Sequence, residues 1–214
     1  MKRNLILIMA LTFLASGKSL SQFTYGVKAG INLQNLRGDD DENEKLKNDL
    51  KPGFHAGVEV EIPLVPEIYL QPGILFSLKG AANIAEIEDL SATLSYIEVP
   101  IHVAYKTAAG PGKLFVGAGP YFAYGVSGKM KFKGEKEDIK LKNHVSDEDF
   151  NDYFFFLRPF DAGADIFIGY QLKPGIFAQL NAQFGLLNLE PEYEVSSNAT
   201  TKNIGFSFSV GYRF

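Results

Sequence analysis

Several features that many proteins of this size carry are missing from this 214-residue chain. It has no cysteine, which excludes disulfides, thiolate metal sites and a lipid anchor on cysteine. Beyond its first residues it has no apolar run long enough to span a membrane as a helix, which excludes a helical membrane protein. The formal charge of −4 at pH 7 gives no basic surface, so we expect no nucleic-acid partner.

Tryptophan is also absent, but other aromatic residues and glycine are abundant. Aromatics make up 13% of the chain and there are 21 glycines, a composition that suits a sheet-rich fold with many tight bends. The chain is long enough for one barrel or one sandwich.

Residues 1–21 have the form of a cleavable secretory signal peptide for the Sec pathway. Lys2 and Arg3 precede an apolar run over residues 5–14, which is too short to cross a membrane as a helix. Cleavage after Ser21 would leave a mature domain over residues 22–214, and a cut near Ala15 or Gly17 is the alternative. A buried N-terminal helix is the competing interpretation.

Eight segments alternate apolar and polar residues, the pattern of a strand with one apolar face. In the last segment Phe206, Phe208 and Val210 alternate with Ser207 and Ser209. An alternating strand that closes on an aromatic residue resembles the C-terminal assembly signal of bacterial outer-membrane barrels, with Phe214 and Tyr212 as its aromatic residues. The predicted strands cover residues 24–33, 53–64, 68–79, 95–106, 114–129, 159–172, 176–187 and 204–214.

The lengths of the connections alternate as well. Those after even-numbered strands are short, at 65–67, 107–113 and 173–175, whereas those after odd-numbered strands are long, at 34–52, 80–94, 130–158 and 188–203. Outer-membrane barrels have short periplasmic turns and long extracellular loops. A soluble ligand-carrying barrel such as a lipocalin also has eight strands, but it gives no reason for long and short connections to alternate. The sequence therefore predicts an all-β fold, a closed antiparallel eight-stranded transmembrane β-barrel with up-and-down topology, in the bacterial outer membrane.

A series of short motifs follows the predicted strands in order: 96–101 (YIEVPI), 117–121 (GAGPY), 161–165 (DAGAD), 185–189 (GLLNL) and the final Arg213-Phe214. Together they resemble the PorT-like outer-membrane β-barrel family over essentially the whole mature chain. The resemblance implies an eight-stranded barrel in the outer membrane. Because the founding member serves a secretion and gliding apparatus, it also suggests a link to secretion, although fold alone does not fix function.

The polar face of the predicted barrel carries charged side chains in the middle of its strands. An eight-stranded barrel is filled by its own side chains, so these charges must pair with one another. An acid/base couple of Glu98 and His102 is the functional alternative, but four residues of strand separate them by about 13 Å, so they should not pair directly. The expected lumen network comprises Lys28, Glu59, Glu61, Glu98, His102, Lys106, Asp161, Asp165 and Arg213.

The predicted loops offer further candidates. Residues 39–42 and Glu44 form an acidic cluster that could hold a divalent cation, but it lacks the spacing and central glycine of a calcium loop, which favours a solvated loop. Residues 129–142 should extend the fifth strand into a hairpin around Gly134. The aromatic run 153–156 is interpreted as an interfacial girdle, with a partner-binding patch as the alternative. No metal spacing links His55, His102 and His144, and residues 198–200 match a glycosylation acceptor only by coincidence.

We expect a monomeric structural or interaction protein, not an enzyme, with no catalytic, metal or cofactor site. Its expected partners are outer-membrane lipid, lipopolysaccharide and the barrel-assembly machinery, and a protein partner could bind loops 34–52 and 130–158. The alternative is narrow or gated transport of small solutes.

Overall fold

The computed structural model describes residues 23–40, 42, 44–151, 153, 155–193 and 199–214. The predicted signal peptide and the Asn198 acceptor lie outside these residues. Eight long strands are present: β1 Thr24–Asp39, β2 Asp49–Val65, β3 Ile68–Ala82, β4 Ser91–Ala109, β5 Gly112–Phe132, β9 Phe160–Leu172, β10 Ile176–Gly185 and β12 Thr200–Arg213. Four short strands lie between them: β6 Glu135–Leu141, β7 His144–Val145, β8 Phe155–Leu157 and β11 Glu192–Tyr193.

The eight long strands form a closed barrel. Each pairs antiparallel with the next along the chain, and the last pairs with the first, from Gly26 opposite Arg213 to Asp39 opposite Thr200. Closure gives every long strand two neighbours and leaves the sheet without an open edge, as a bilayer requires. The predicted eight-stranded up-and-down barrel is confirmed.

Apolar and polar side chains lie on opposite faces of the barrel wall, as the alternation predicts. Side chains such as Ile31, Val58, Ile168 and Phe206 point outward and are about half exposed. The intervening polar side chains point into the lumen and are buried. An apolar outer surface is stable against lipid but not against water, so the barrel wall is a lipid-facing surface.

Several strands extend beyond their predicted bounds, mostly at the end where the long loops lie. β1 continues to Asp39, not residue 33, and β2 begins at Asp49, not residue 53. Backbone pairing continues there although the apolar alternation stops, because the strands rise above the hydrocarbon layer of the bilayer. β10 is the exception and ends at Gly185, not residue 187, since the N–H groups of Leu186 and Leu187 both turn back to the carbonyl of Ala162.

The alternation of loop lengths is also confirmed. Turns of two or three residues, at 66–67, 110–111 and 173–175, join strands at one end of the barrel. Gly110 adopts a positive φ of 59° in the second of these turns. The opposite end carries the connections 40–48, 83–90, 133–159 and 186–199. The predicted loops 34–52 and 130–158 therefore include strand residues at their ends, which corrects their bounds.

The longest connection folds over the extracellular mouth of the barrel. β5 and β6 form the hairpin predicted around Gly134, β8 pairs parallel with β6, and β7 pairs parallel with β11. Ile139, Leu157 and Leu189 from these connections are buried against Leu36 and Tyr96 of the barrel. The loops thus form a cap that packs on the barrel mouth through a shared apolar cluster. No helix in the described part of the chain is long and apolar enough to cross a membrane.

Candidate functional site: the barrel lumen

All nine charged residues predicted for the lumen network face inward and are buried. Lys79 was absent from that set but belongs to it. Its position is on the polar face of the third predicted strand, so the same alternation could have identified it. With Lys79, the buried lumen holds four cations, Lys28, Lys79, Lys106 and Arg213, against five carboxylates, Glu59, Glu61, Glu98, Asp161 and Asp165, and two histidines.

The periplasmic end of the lumen is built around Arg213. Its Nε donates to Glu59 Oε1 at 2.8 Å, and its Nη2 lies 2.6 Å from the same oxygen. Lys28 approaches the other Glu59 oxygen at 3.2 Å, while Lys106 pairs with Glu61. A carboxylate shared by two cations remains charged in a low-dielectric interior, because each partner offsets part of its desolvation. This cluster closes the lumen next to the short turns.

Three phenylalanines complete the periplasmic end. Phe115, Phe167 and Phe177 point inward, and Phe115 makes edge contacts with the other two at 6.2 and 6.1 Å between ring centres. The Arg213 guanidinium lies 4.0 Å from the centre of the Phe177 ring, a cation–π contact. These residues break the rule that apolar side chains face lipid. Phe167 has the parity of Asp165, and Phe177 that of Gln179, so alternation places both inward, but their apolar type gave no reason to expect them in a polar lumen.

Polar side chains surround His55 in the middle of the lumen. Its Nδ1 lies 2.6 Å from Asn32 Oδ1, and its Nε2 lies 2.8 Å from Ser209 Oγ. The Asn32 amide nitrogen donates to Ser77 Oγ at 3.1 Å. A cavity of about 30 Å³ lies here, which is room for one or two water molecules. The middle of the lumen is therefore nearly filled.

The extracellular end of the lumen is built around Lys79. Its ammonium lies 2.7 Å from Glu98 and 3.6 Å from Asp161, and 4.2 Å from the centre of the Tyr121 ring. The Tyr121 hydroxyl and the Asn203 amide both donate to Asp161, at 3.1 and 2.8 Å. The positive charge is thus enclosed by two carboxylates and an aromatic face, with no exposure to solvent.

Glu98 and His102 each have a different partner, as their separation in the strand predicted. His102 Nε2 lies 2.9 Å from Asp165 Oδ2, while Gln183 donates to both Glu98 and Asp165 at 3.2 and 3.1 Å. Gln183 therefore links the two acidic groups into one network. Within the described ranges, no group of three or more histidine, aspartate or glutamate side chains is placed to hold a metal ion.

The loop candidates are largely engaged in organising the loops themselves. Asp40 Oδ1 accepts the backbone N–H groups of Glu42 and Glu44, both at 2.9 Å, so this carboxylate shapes its own turn. In the aromatic run, Phe156 is 5% exposed and packs on Phe150 at 5.2 Å between ring centres. The girdle interpretation is therefore wrong for Phe156, because this side chain is buried against Phe150 and does not face the bilayer interface. Asp41 and Phe154 lie outside the described residues.

Asp149 fixes one turn of the extracellular cap. Its carboxylate accepts two contacts from the Lys142 ammonium, at 2.7 and 2.6 Å, and hydrogen bonds from the Ser146 N–H and hydroxyl, both at 2.9 Å. The bonds from Lys142, followed by those from Ser146, lower the pKa of Asp149 to about 2. They favour the charged carboxylate because they are made to it.

Comparison with solved structures finds other small outer-membrane proteins at low identity. Ail, the attachment invasion locus protein of Yersinia pestis, is 11% identical, covering 90% of this chain and 99% of its own, with a TM-score of 0.44. Neisserial surface protein A is 10% identical, covering 92% of this chain and 100% of its own, with a TM-score of 0.46. AlkL in lipid bilayers is 12% identical, covering 92% of this chain and 94% of its own, with a TM-score of 0.35.

A comparison with curated protein sequences finds no significant match. The family of the outer membrane protein beta-barrel domain matches residues 15–190, which include seven of the eight long strands. This match agrees with the closed eight-stranded fold, the apolar outer wall and the charged lumen. The chain belongs to the outer membrane protein beta-barrel domain family.

Proposed function

We propose that this outer-membrane barrel acts through its extracellular surface, as a structural or interaction protein, and not through its lumen. The observation that carries the proposal is the filled lumen. Buried side chains occupy it from Arg213 and Phe177 at the periplasmic end to Lys79 and Tyr121 at the extracellular end. A solute would have to displace paired charges that lie out of reach of water, which costs several kcal/mol for each unpaired ion.

The extracellular cap provides the surface through which such a protein would act. It contains strand pairings and packs on the barrel mouth through a shared apolar cluster, so it presents a defined shape to a partner. Pre-ordered surfaces bind with a smaller loss of conformational entropy than mobile ones. The exposed parts of the connections 40–48 and 133–159 are the regions where we place a protein partner. The PorT-like motif series makes a component of a secretion apparatus the first partner to test.

Planar-bilayer recordings test the filled lumen directly. The purified protein should produce no stepwise ion conductance. A variant that removes the extracellular plug, with Lys79→Ala and Tyr121→Ala together, provides the matched comparison, provided that it still folds. Discrete conductance from the unmodified protein would overturn the proposal in favour of narrow or gated transport.

Site-directed photo-crosslinking in living cells tests the interaction surface, because the chain contains no cysteine. A single cysteine at the exposed Glu148 in the cap should capture a specific protein after labelling with a photoreactive group. The matched control is a cysteine at the exposed Lys113 beside a periplasmic turn. Equal capture at both positions, or none at Glu148, would contradict a partner at the cap.

A further inference from the structure

Two positive side chains face each other directly across the strands that close the barrel. Arg37 of β1 and Lys202 of β12 are register partners, and both lie on the outward face. Like charges directly opposite in an antiparallel pair are destabilising. Neither cation takes part in an ion pair with any carboxylate in the described part of the chain. An anion bound between the two cations would relieve their repulsion.

The pair lines a cavity of about 370 Å³ at the extracellular rim of the wall. β10 ends at Gly185, whereas the paired β12 already begins at Thr200, further toward the extracellular side. The cavity lies in the gap that the shorter β10 leaves. Its floor is the last register pair between these strands, Phe184 opposite Ile204. Asp39 also lines the cavity, two residues beyond Arg37, and its N–H donates to Thr200 Oγ1 at 3.1 Å. Two cations against one carboxylate leave the cavity with a positive charge.

A separate apolar groove lies lower on the lipid-facing wall, beyond the pair of Phe184 and Ile204. The next outward register pair is Ala182 opposite Phe206, and the small Ala182 lies between the larger Phe206 and Ile166. These residues line a second hollow of about 370 Å³. From Lys202 to Phe206 the strand runs about 13 Å. The wall thus presents a cationic cavity at the rim and an apolar groove directly beneath it.

We propose that Arg37 and Lys202 bind the phosphate of an outer-leaflet lipid, with one acyl chain in the groove over Ala182. The anion is a lipid phosphate because the site faces the bilayer and lies above rows that contact hydrocarbon. Arginine and lysine form charge-assisted hydrogen bonds with phosphate oxygens, and the bound anion removes the repulsion between them. This proposal goes beyond the interaction role of the cap, because it assigns a ligand to the outer wall and does not depend on that role.

Native mass spectrometry of the full-length mature protein in a non-ionic detergent tests the site, with diphosphorylated lipid A as the probe. The test variant combines Arg37→Gln and Lys202→Gln. The control variant, Lys113→Gln with Lys173→Gln, removes the same charge from two exposed lysines beside the periplasmic turns. The test variant should bind lipid A about tenfold or more weakly, the effect of losing one charge-assisted hydrogen bond, and the control should bind like the unmodified protein.

Three further binding measurements identify which part of the lipid is recognised. Lipid A without phosphate should bind weakly to every variant, and excess inorganic phosphate should not displace lipid A from the unmodified protein. Ala182→Phe, which fills the groove and leaves both cations in place, should also weaken lipid A binding. Any one of four results would overturn the proposal. They are unchanged binding of lipid A by the Arg37/Lys202 variant, an equal loss of binding in the control variant, tight binding of phosphate-free lipid A, and displacement of lipid A by inorganic phosphate.

The stability of the Arg37/Lys202 variant distinguishes a specific loss of binding from misfolding. Without lipid A, removal of the like-charge pair should leave the urea midpoint of unfolding unchanged or raise it. Weaker lipid A binding together with an unchanged or higher midpoint supports the site. A clearly lower midpoint would show that the pair stabilises the barrel without a ligand, which contradicts the proposal.

Discussion

At the scale of single residues, the lumen shows how a narrow barrel accommodates charge in a low-dielectric interior. Each of its cations has a carboxylate within ion-pair distance, and the side chains of Lys79 and Arg213 are fully enclosed. The chemical type and inward direction of these residues follow from the period of two. Their partners do not, because Lys79 of β3 meets Glu98 of the next strand and Asp161 of the distant β9, which depends on the register of the closed barrel.

Replacing Lys79 by methionine should destabilise the barrel by about 3–5 kcal/mol, because it leaves Glu98 and Asp161 buried without their cation. The free energy of unfolding can be measured by urea titration in liposomes. The double variant Lys79→Met with Glu98→Gln is the control and should recover part of the loss. A Lys79→Met barrel as stable as the unmodified protein would show that the charges are not coupled.

Asp149 provides a prediction of pH dependence outside the membrane. Its pKa in the folded cap is about 2, below the ordinary 3.8. The carboxylate therefore contributes stability to the cap that is fully present above pH 3.8 and is lost as the pH falls through about 2. The carboxyl carbon shift of Asp149, followed by NMR, should give that low midpoint, and Lys142→Gln should raise it. A midpoint near 3.8 in the unmodified protein would contradict the hydrogen-bonded turn.

At the scale of strands, the two-residue period correctly predicted which side chains form the lipid-facing wall, but it did not predict where the strands end. β1, β2 and β12 continue past the end of the apolar alternation, because hydrogen bonding between paired strands does not depend on which side chains they carry. The inward phenylalanines of β5, β9 and β10 were missed for a related reason. Their position along the strand places them inward, but residue type alone predicts a lipid-facing role for an aromatic residue.

Arginine at Val58, Ile101 or Ile168 should cost about 2–4 kcal/mol each near the bilayer midplane, because these side chains face lipid. Reversible unfolding from liposomes measures the loss. Lys113→Arg, beside a periplasmic turn, is the control and should change stability by about 0–1 kcal/mol or less. If the three wall substitutions prove as mild as the control, the assignment of the outer face is wrong.

At the scale of the whole molecule, closure depends on the pairing of the first strand with the last. That pairing extends from Gly26 opposite Arg213 to Asp39 opposite Thr200, and the Phe214 N–H donates to the carbonyl of Tyr25 at 2.8 Å. The Phe214 ring is 75% exposed and contacts the Tyr212 ring at 5.1 Å between centres. Phe214 is thus exposed beside a half-buried Tyr212 at the end of the closing strand, where a recognition signal for assembly would be accessible.

Deletion of Phe214 should reduce the amount of folded barrel in the outer membrane while leaving export across the inner membrane intact. The exposed ring contributes little packing, so the loss should come from recognition during assembly. Heat-modifiable mobility on gels measures folded barrel, and processing of the signal peptide measures export. Phe214→Tyr keeps an aromatic terminus and should assemble normally. Full assembly of the deletion variant would argue against a role for Phe214.

The sequence by itself determined the architecture: eight strands, an apolar face for lipid, a charged face for the lumen, and loops sorted by length. These are local properties, set by which side of a strand each side chain occupies and by where turn residues interrupt the pattern. Only the tertiary structure decided which charges meet in the lumen, that the long loops fold into a cap, and that Arg37 lies opposite Lys202. Such neighbours depend on the register between strands distant in the sequence and on the closure of the barrel, which no single strand encodes.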